Sequence, residues 1–485
     1  MPAIRLLLRT VRGGALLVAA VIMTILAVRS HDALTGAPLS PWHTHLPDEA
    51  RAPDIDGMDW PAWLAREETL YAGLMTEVVA KVPPGAQIAG NRYYRGSPMF
   101  WGAQAVNWNR SFVLMPDGPP VGSVVLLHGM TDGPYSLRHI AQAYRARGFV
   151  AVGIRMPGHG TVPAGLTRAD WSDWMAATRL AVRHARSLAG DAVPLRLVGY
   201  SNGGALAVKY ALDALDDPAL RVPDRIALLS PMIGVTRFAR FAGIAGWPAV
   251  LPGFVRAAWL DILPEFNPVK YNSFPVNAAR QSHLLTTALQ RDLRARQRDG
   301  SLARLPPVLT FQSVVDFTVS TPALVTELYN RLPANGSELV LFDVNRAAKV
   351  GPLLAPAQQT IPARLLPAAP RAYTTTIITN DDTQTGREVA RTTPAGQTGE
   401  QIVALQAAYP RTVYSLSHVA LPFPLTDGVY GMTPDPADDS GVNLGTLAPK
   451  GEFGVLIPGL EQFARMTSNP FFGYLSERLL EGLPG

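Results

Sequence analysis

The chain has 485 residues, 47% of them hydrophobic and 17% charged, which supplies apolar material for a large buried core and excludes a mainly disordered chain. Cysteine is absent, so disulfides, thiolate metal sites and a cysteine nucleophile are excluded. The net charge of +5 comes from 38 Arg and 5 Lys scattered among acids, with no long basic run, so no nucleic-acid partner is expected.

Arg5, Arg9 and Arg12 precede an uncharged stretch over 13–28. At about 1.5 Å rise per residue that stretch is roughly 24 Å long, and snorkelling of Arg12 and Arg29 would close the gap to a hydrocarbon core of about 30 Å. The basic flank predicts a cytoplasmic N-terminus, with residues 1–30 as a membrane anchor and the remainder periplasmic or extracellular. A cleaved secretory signal is the competing reading, although Val28, Arg29 and Ser30 follow Ala27 where an Ala-x-Ala site would be needed.

Residues 31–115 form a lead-in. Its first part, 30–57, is rich in Pro, His, Asp and Ala and reads as a tether. Asp59 and Pro61 start a helix expected to run to about Val82, with Leu64, Tyr71, Leu74, Met75 and Val78 on one side. Aromatic and polar groups alternate over 91–115 through Trp101, Trp108, Phe112 and Leu114, which predicts one or two leading strands.

From Val121 short apolar runs alternate with helix-length amphipathic segments. Runs over 123–127, 149–154, 195–198, 226–229, 308–311 and 339–342 predict strands buried on both faces. Segments over 136–147, 171–188, 205–215 and 322–332 predict the helices between them, hence a parallel sheet covered on both sides. The core is expected over 116–231, 307–344 and 412–485. Two insertions interrupt it. Residues 232–306 carry Phe238, Phe241, Trp247, Phe254 and Trp259 and predict a lid over an apolar pocket, with plain core packing as the alternative. Residues 345–411 are loop-like, with many Pro, Thr and Gly.

The chemistry centres on Gly199-Tyr200-Ser201-Asn202-Gly203-Gly204, placed between a predicted strand and a predicted helix. That is the context of a nucleophile elbow, where a sharp turn lifts the serine above the sheet and points a helix N-terminus at the reaction centre. A serine hydroxyl needs a base. Of nine histidines only His283 and His418 lie after Ser201, and His283 falls inside the first insertion, so His418 is assigned as the base. The orienting acid should follow the strand at 308–311, which selects Asp316, with Asp343 in reserve. The oxyanion donors are the backbone N–H groups of Asn202 and of Met130 in His128-Gly129-Met130-Thr131-Asp132-Gly133. His128 is expected to brace that loop, and His159 in Pro157-Gly158-His159-Gly160 to shape its own. No metal motif and no nucleotide-binding glycine motif is present, so no cofactor is implied.

These motifs, with Asp170-Trp171-Ser172-Asp173-Trp174, resemble the α/β-hydrolase superfamily, in its carboxylesterase and monoacylglycerol-lipase-like (serine aminopeptidase-like) branch. The resemblance covers about 120–345 and 412–432. It implies an eight-stranded, mostly parallel sheet with a helical cap, and cofactor-free hydrolysis of a small-molecule ester or lipid. Two features depart from the pattern: the separation of Asp316 from His418 by an insertion, and the N-terminal 115 residues. A peptidase using the same triad is a second reading, with Asp261 and Glu265 as groups for a free amine. A non-catalytic binding module is a third. Acyl-chain length and oligomeric state are not legible in the sequence.

Overall fold

The computed structural model describes residues 38–234, 252–316, 318–355, 360–445 and 465–483, with scattered positions between 16 and 36. One sheet dominates. Its strands are β1 (Phe112–Leu114), β2 (Gly122–Leu127), β3 (Phe149–Ile154), β4 (Leu195–Tyr200) and β5 (Arg225–Leu229), then β8 (Val308–Ser313), β9 (Glu338–Phe342), β10 (Thr374–Asn380), β11 (Glu388–Thr393) and β12 (Gln401–Ala404). A small hairpin, β6 (Trp259–Asp261) with β7 (Phe274–Pro275), lies apart from it. The spatial order is β1-β3-β2-β4-β5-β8-β9-β10-β11-β12. Neighbours from β3 to β10 pair parallel, and β1, β11 and β12 pair antiparallel at the two ends.

The near-continuous apolar runs are explained by two cores, one on each face. Val125, Leu127, Val152, Leu197, Ile226, Val308 and Leu339 point into one. Their sequence neighbours Val124, Leu126, Ala151, Val198, Ala227, Leu309 and Val340 point into the other. A period of two with both faces buried requires apolar residues at every position. The covering helices include α1 (Trp60–Glu77), α2 (Arg138–Ala146), α3 (Trp171–Ala189), α4 (Asn202–Ala214), α5 (Val276–Asp299) and α6 (Phe472–Leu480).

The expected mostly parallel α/β sheet is present, with ten strands rather than eight. The excess comes from 345–411, which is not loop-like: β10, β11 and β12 lie there and widen the sheet beyond β9. The β-branched run from Thr374 to Thr379 drives β10, and its pairing with β9 supplies the burial that composition alone did not reveal.

Other expectations shift. Only Phe112–Leu114 forms a strand in the aromatic stretch before the core. The helix capped by the Asp59 carboxylate ends at Glu77 and continues as a short 3-10 turn over Val79–Lys81. The 322–332 helix is broken into Thr321–Ala323, a π-type turn over Leu324–Leu328 and a 3-10 turn over Tyr329–Arg331.

The lead-in is docked, not a free tether. Trp42 and Ile55 are buried. Asp173 accepts the Ala52 N–H at 2.8 Å and the Arg51 guanidinium at 3.0 Å. Arg155, fully buried, donates two parallel bonds to Glu49 at 2.8 and 3.0 Å and a third to Glu67 at 3.0 Å. Of the aromatic residues expected in a lid, Phe238, Phe241 and Trp247 and the side chain of Phe254 lie outside the described residues. Trp259 is buried in a cluster with Trp42, Tyr93 and Val162. Among the described residues no helix is long and apolar enough to cross a membrane; residues 13–15, 17, 18 and 22 of the 13–28 stretch lie outside them.

Candidate active site

The elbow follows from its glycines. The chain leaves β4 at Tyr200 and enters α4 at Asn202, so a single residue, Ser201, makes the turn, at φ 52° and ψ −114°. A Cβ at Gly203 would overlap the Leu127 carbonyl, and one at Gly199 would overlap the Gly203 carbonyl. Only glycine lets the turn fold this tightly. Two main-chain bonds fix the strained residue: Ser201 N–H donates to Leu229 O and Met232 N–H to Ser201 O, both at 2.9 Å.

The structure brings Ser201, His418 and Asp316 together from three distant parts of the chain. Ser201 Oγ lies 3.0 Å from His418 Nε2, and His418 Nδ1 lies 2.8 Å from Asp316 Oδ2. A carboxylate only accepts, so Nδ1 carries the proton and Nε2 is left to accept from the serine hydroxyl. Asp316 Oδ1 accepts the Thr318 and Val319 N–H groups at 2.9 and 3.1 Å. Burial pushes the Asp316 carboxyl upward, but its pairing with His418 and these donors outweigh burial and hold it below the ordinary carboxylate value. Asp316 therefore stays charged.

The two proposed oxyanion donors flank the serine. A Cβ at Gly129 would touch Ser201 Cβ at 3.2 Å, so the His128–Gly133 loop runs beside Ser201. Thr131, at φ 59°, turns that loop. Asn202 opens α4, where the first N–H groups have no partner within the helix. Among the described residues no acceptor takes the Met130 or the Asn202 N–H.

The remaining candidates are accounted for elsewhere. His128 donates from Nδ1 to Gly129 O at 2.9 Å and accepts Met156 N–H at Nε2 at 3.0 Å, so both ring nitrogens are engaged. Burial lowers its pKa to about 4 and keeps it neutral. It joins the loop after β2 to the loop after β3. His159 is buried against Trp174, with Nδ1 on Pro157 O. Asp343 pairs with Arg346 at 2.5 Å and accepts from Thr379 at 3.0 Å, one strand beyond Asp316. His283 lies on α5. Glu265 accepts the Asn272 and Ser273 N–H groups at 3.0 and 2.9 Å and is thereby committed to a turn, while Asp261 lies exposed on the small hairpin. Among the described residues, His139, Asp427 and Asp438 alone have metal-ligand spacing, and the Arg138 guanidinium already binds both carboxylates.

Three supporting residues escaped sequence reasoning. Gln312 in β8 donates to Asp316 Oδ2 at 3.1 Å. A lone amide in a fully buried strand was its only signal. Arg465 comes from a short strand, β14 (Arg465–Met466), parallel to β13 (Ser415–Leu416) beside the histidine, and donates to Ser415 Oγ at 3.0 Å and to Leu416 O. Asn345 donates to Val413 O at 2.9 Å and to Pro410 O at 3.2 Å, clamping the two ends of the 345–411 excursion together. No local pattern marks either residue.

Residues 118–301 match the family described as serine aminopeptidase, S33 (Hydrolase_4). With the strand order and the elbow after β4, that match decides the assignment. The core has the α/β-hydrolase fold. A stretch of 163 residues is 28% identical to the thermostable monoacylglycerol lipase of Bacillus sp. (strain H-257), covering 33% of this chain and 60% of that relative. Similar solved structures include a chain of the metagenome-derived lipolytic enzymes LipS and LipT, at 22% identity, 50% and 90% coverage and a TM-score of 0.39. Another is a soluble variant of monoglyceride lipase from Saccharomyces cerevisiae, at 14% identity, 48% and 81% coverage and a TM-score of 0.38. The chain spans about 60% of the length of that Bacillus relative. The lead-in and residues 302–485, with Asp316 and His418 among them, lie outside the range that the family matches.

Proposed function

We propose that this protein is a serine hydrolase that cleaves carboxylic esters of the monoacylglycerol or small carboxylester type through an acyl-enzyme. The observation that carries the reading is His418, whose two nitrogens face Ser201 Oγ at 3.0 Å and Asp316 Oδ2 at 2.8 Å. Ser201 Oγ attacks the ester carbonyl as its proton passes to His418 Nε2. The carbonyl oxygen takes up the electron pair and is held by the Met130 and Asn202 N–H groups. Collapse expels the alcohol, which receives the proton from His418. Water then repeats the sequence, with His418 as base, and the carboxylic acid leaves. Asp316 keeps the imidazole in one tautomer and stabilises the imidazolium.

The test is labelling of the full chain with a fluorophosphonate probe, followed by turnover of p-nitrophenyl esters of graded chain length beside a panel of aminoacyl amides. Ester turnover with labelling at Ser201 supports the reading. Turnover of the amides alone would replace it with the peptidase reading, and absence of both would leave the binding module. Location rests on sequence alone: we propose that the hydrolase lies outside the cytoplasm, held by or released from the 13–28 segment. Mass spectrometry of the mature N-terminus distinguishes anchor from cleaved signal.

A further inference from the structure

The first insertion delivers a lysine to the back of the site. Lys270 is nearly buried, 12% exposed at its side chain, and only five lysines occur in the chain. Its ammonium lies 3.6 Å from Asp132 Oδ2, at the end of the loop that carries Met130, and 3.4 Å from the Tyr200 hydroxyl, next to the nucleophile. The Tyr200 hydroxyl in turn donates to the His418 carbonyl oxygen at 3.4 Å, and the Tyr200 and His418 rings stack with centroids 5.6 Å apart. The ammonium also faces the rings of Tyr200, Phe423 and Tyr430 at 5.0, 5.7 and 5.6 Å. One cation therefore touches the oxyanion loop, the elbow and, through Tyr200, the base.

The main chain around Lys270 is held just as firmly. Tyr271 N–H donates to Thr131 O at 2.7 Å, at the left-handed turn of the oxyanion loop. Lys270 N–H donates to Asn267 Oδ1 at 3.0 Å, and Lys270 O accepts from the Arg92 guanidinium at 3.1 Å. Burial pulls the ammonium below its ordinary pKa, and Asp132 opposes that pull. An ammonium in so enclosed a place, with one carboxylate and three aromatic faces, is costly for a merely structural contact.

We propose that Lys270 is a positioning residue for the acyl transfer, one that fixes the distance between the oxyanion donors and His418 by tying Asp132 to Tyr200. The proposal rests on the serine-hydrolase reading above. It also gives the first insertion a role in the chemistry, since the base and the donors reach their spacing only when that segment is seated. The bond order is consistent: Lys270 donates to the Tyr200 oxygen, and the Tyr200 proton goes to His418 O.

The test compares the full-length wild type with Lys270→Met, Lys270→Arg, Tyr200→Phe and the double variant Lys270→Met/Tyr200→Phe, on p-nitrophenyl butyrate. A displacement of catalytic groups by a fraction of an ångström should lower kcat about 10- to 100-fold in Lys270→Met with KM within about twofold. Lys270→Arg should recover part of that loss, and the double variant should fall no further than Lys270→Met, because both changes cut the same tie. Tyr200→Phe removes one hydroxyl and keeps the ring, so it tests the tie even where Lys270→Met does not fold; a kcat several-fold lower is expected. A wild type that neither turns over ester nor labels at Ser201 defeats the hydrolase reading itself. An active wild type whose Lys270→Met and Tyr200→Phe variants both keep wild-type kcat defeats the lysine proposal alone.

Discussion

Ser201 and His418 reach the same point by opposite routes. Ser201 is placed by its own neighbourhood: a strand, a one-residue turn, a helix and glycines too crowded to replace. His418 follows a two-residue strand and depends on partners far away in the chain. Ser417 N–H bonds to Met466 O at 2.9 Å, Ser313 Oγ donates to Leu416 O at 3.3 Å, and Asn345 holds the approach through Val413. The serine is built in locally, whereas the histidine is assembled by the finished fold. Damage near the elbow should therefore abolish function outright, while damage to the histidine braces should erode it by degrees.

The sharpest break is Ser201→Ala. If the three side chains act as a unit, kcat falls by about 10⁶ while the thermal midpoint stays close to the wild type. Near-normal ester turnover would refute the assignment. Next comes Gly203→Ala, in which the new methyl meets the Leu127 carbonyl. We expect a stability loss of about 3 kcal/mol by urea denaturation together with loss of fluorophosphonate labelling, since the turn cannot form without moving β2. A stable, labelled variant would mean that the elbow is far less local than it looks.

Asn345→Ala should act on the histidine side, and also frees the Asn380 amide in β10 from its bond to Asn345. Losing its bonds to Val413 O and Pro410 O should cost about 1–3 kcal/mol and slow labelling of Ser201 through a displaced base. If labelling stays at the wild-type rate, the clamp does not set the position of His418.

The smallest effect is one of pH, in the added strands. Burial first, and then the Asp343 charge, raise the Glu388 carboxyl to about 8, with Arg346 opposing. Between the ordinary carboxyl range and about pH 8, the folded protein keeps a proton that the unfolded chain releases. The stability linked to this group is therefore present at low pH and lost as pH rises through about 8. Glu388→Gln should flatten the decline in urea midpoint between about pH 5 and pH 8. Parallel curves for variant and wild type would remove this carboxyl from the account.

The same contrast explains what was legible in advance. The strands of the parallel core, and the convergence of Ser201, Asp316 and His418, were readable because the chain carries local marks: an apolar run, a glycine-flanked serine, an aspartate just past a strand. The added strands were read as loop, since β12 is exposed at every position and β11 in part, and pairing decides such segments more than composition does. The docking of the lead-in was missed for a related reason. Glu49 and Glu67 look like ordinary surface acids until Arg155, about a hundred positions later, is seen between them. Asn345, Gln312 and Arg465 are single polar residues whose importance exists only in three dimensions.

That buried arginine sets an order for biosynthesis. The ribosome releases Glu49, Ala52 and Glu67 well before Arg155, which pairs with the two carboxylates, and Asp173, which accepts the Ala52 N–H. What emerges first must therefore dock late, keeping Trp42, Ile55 and Trp63 in water until the third strand and the helix after it have formed. A nascent chain stalled before that point is a natural client for a holdase, and trimming the leading hundred residues would strip the Arg155 guanidinium of both its counter-charges.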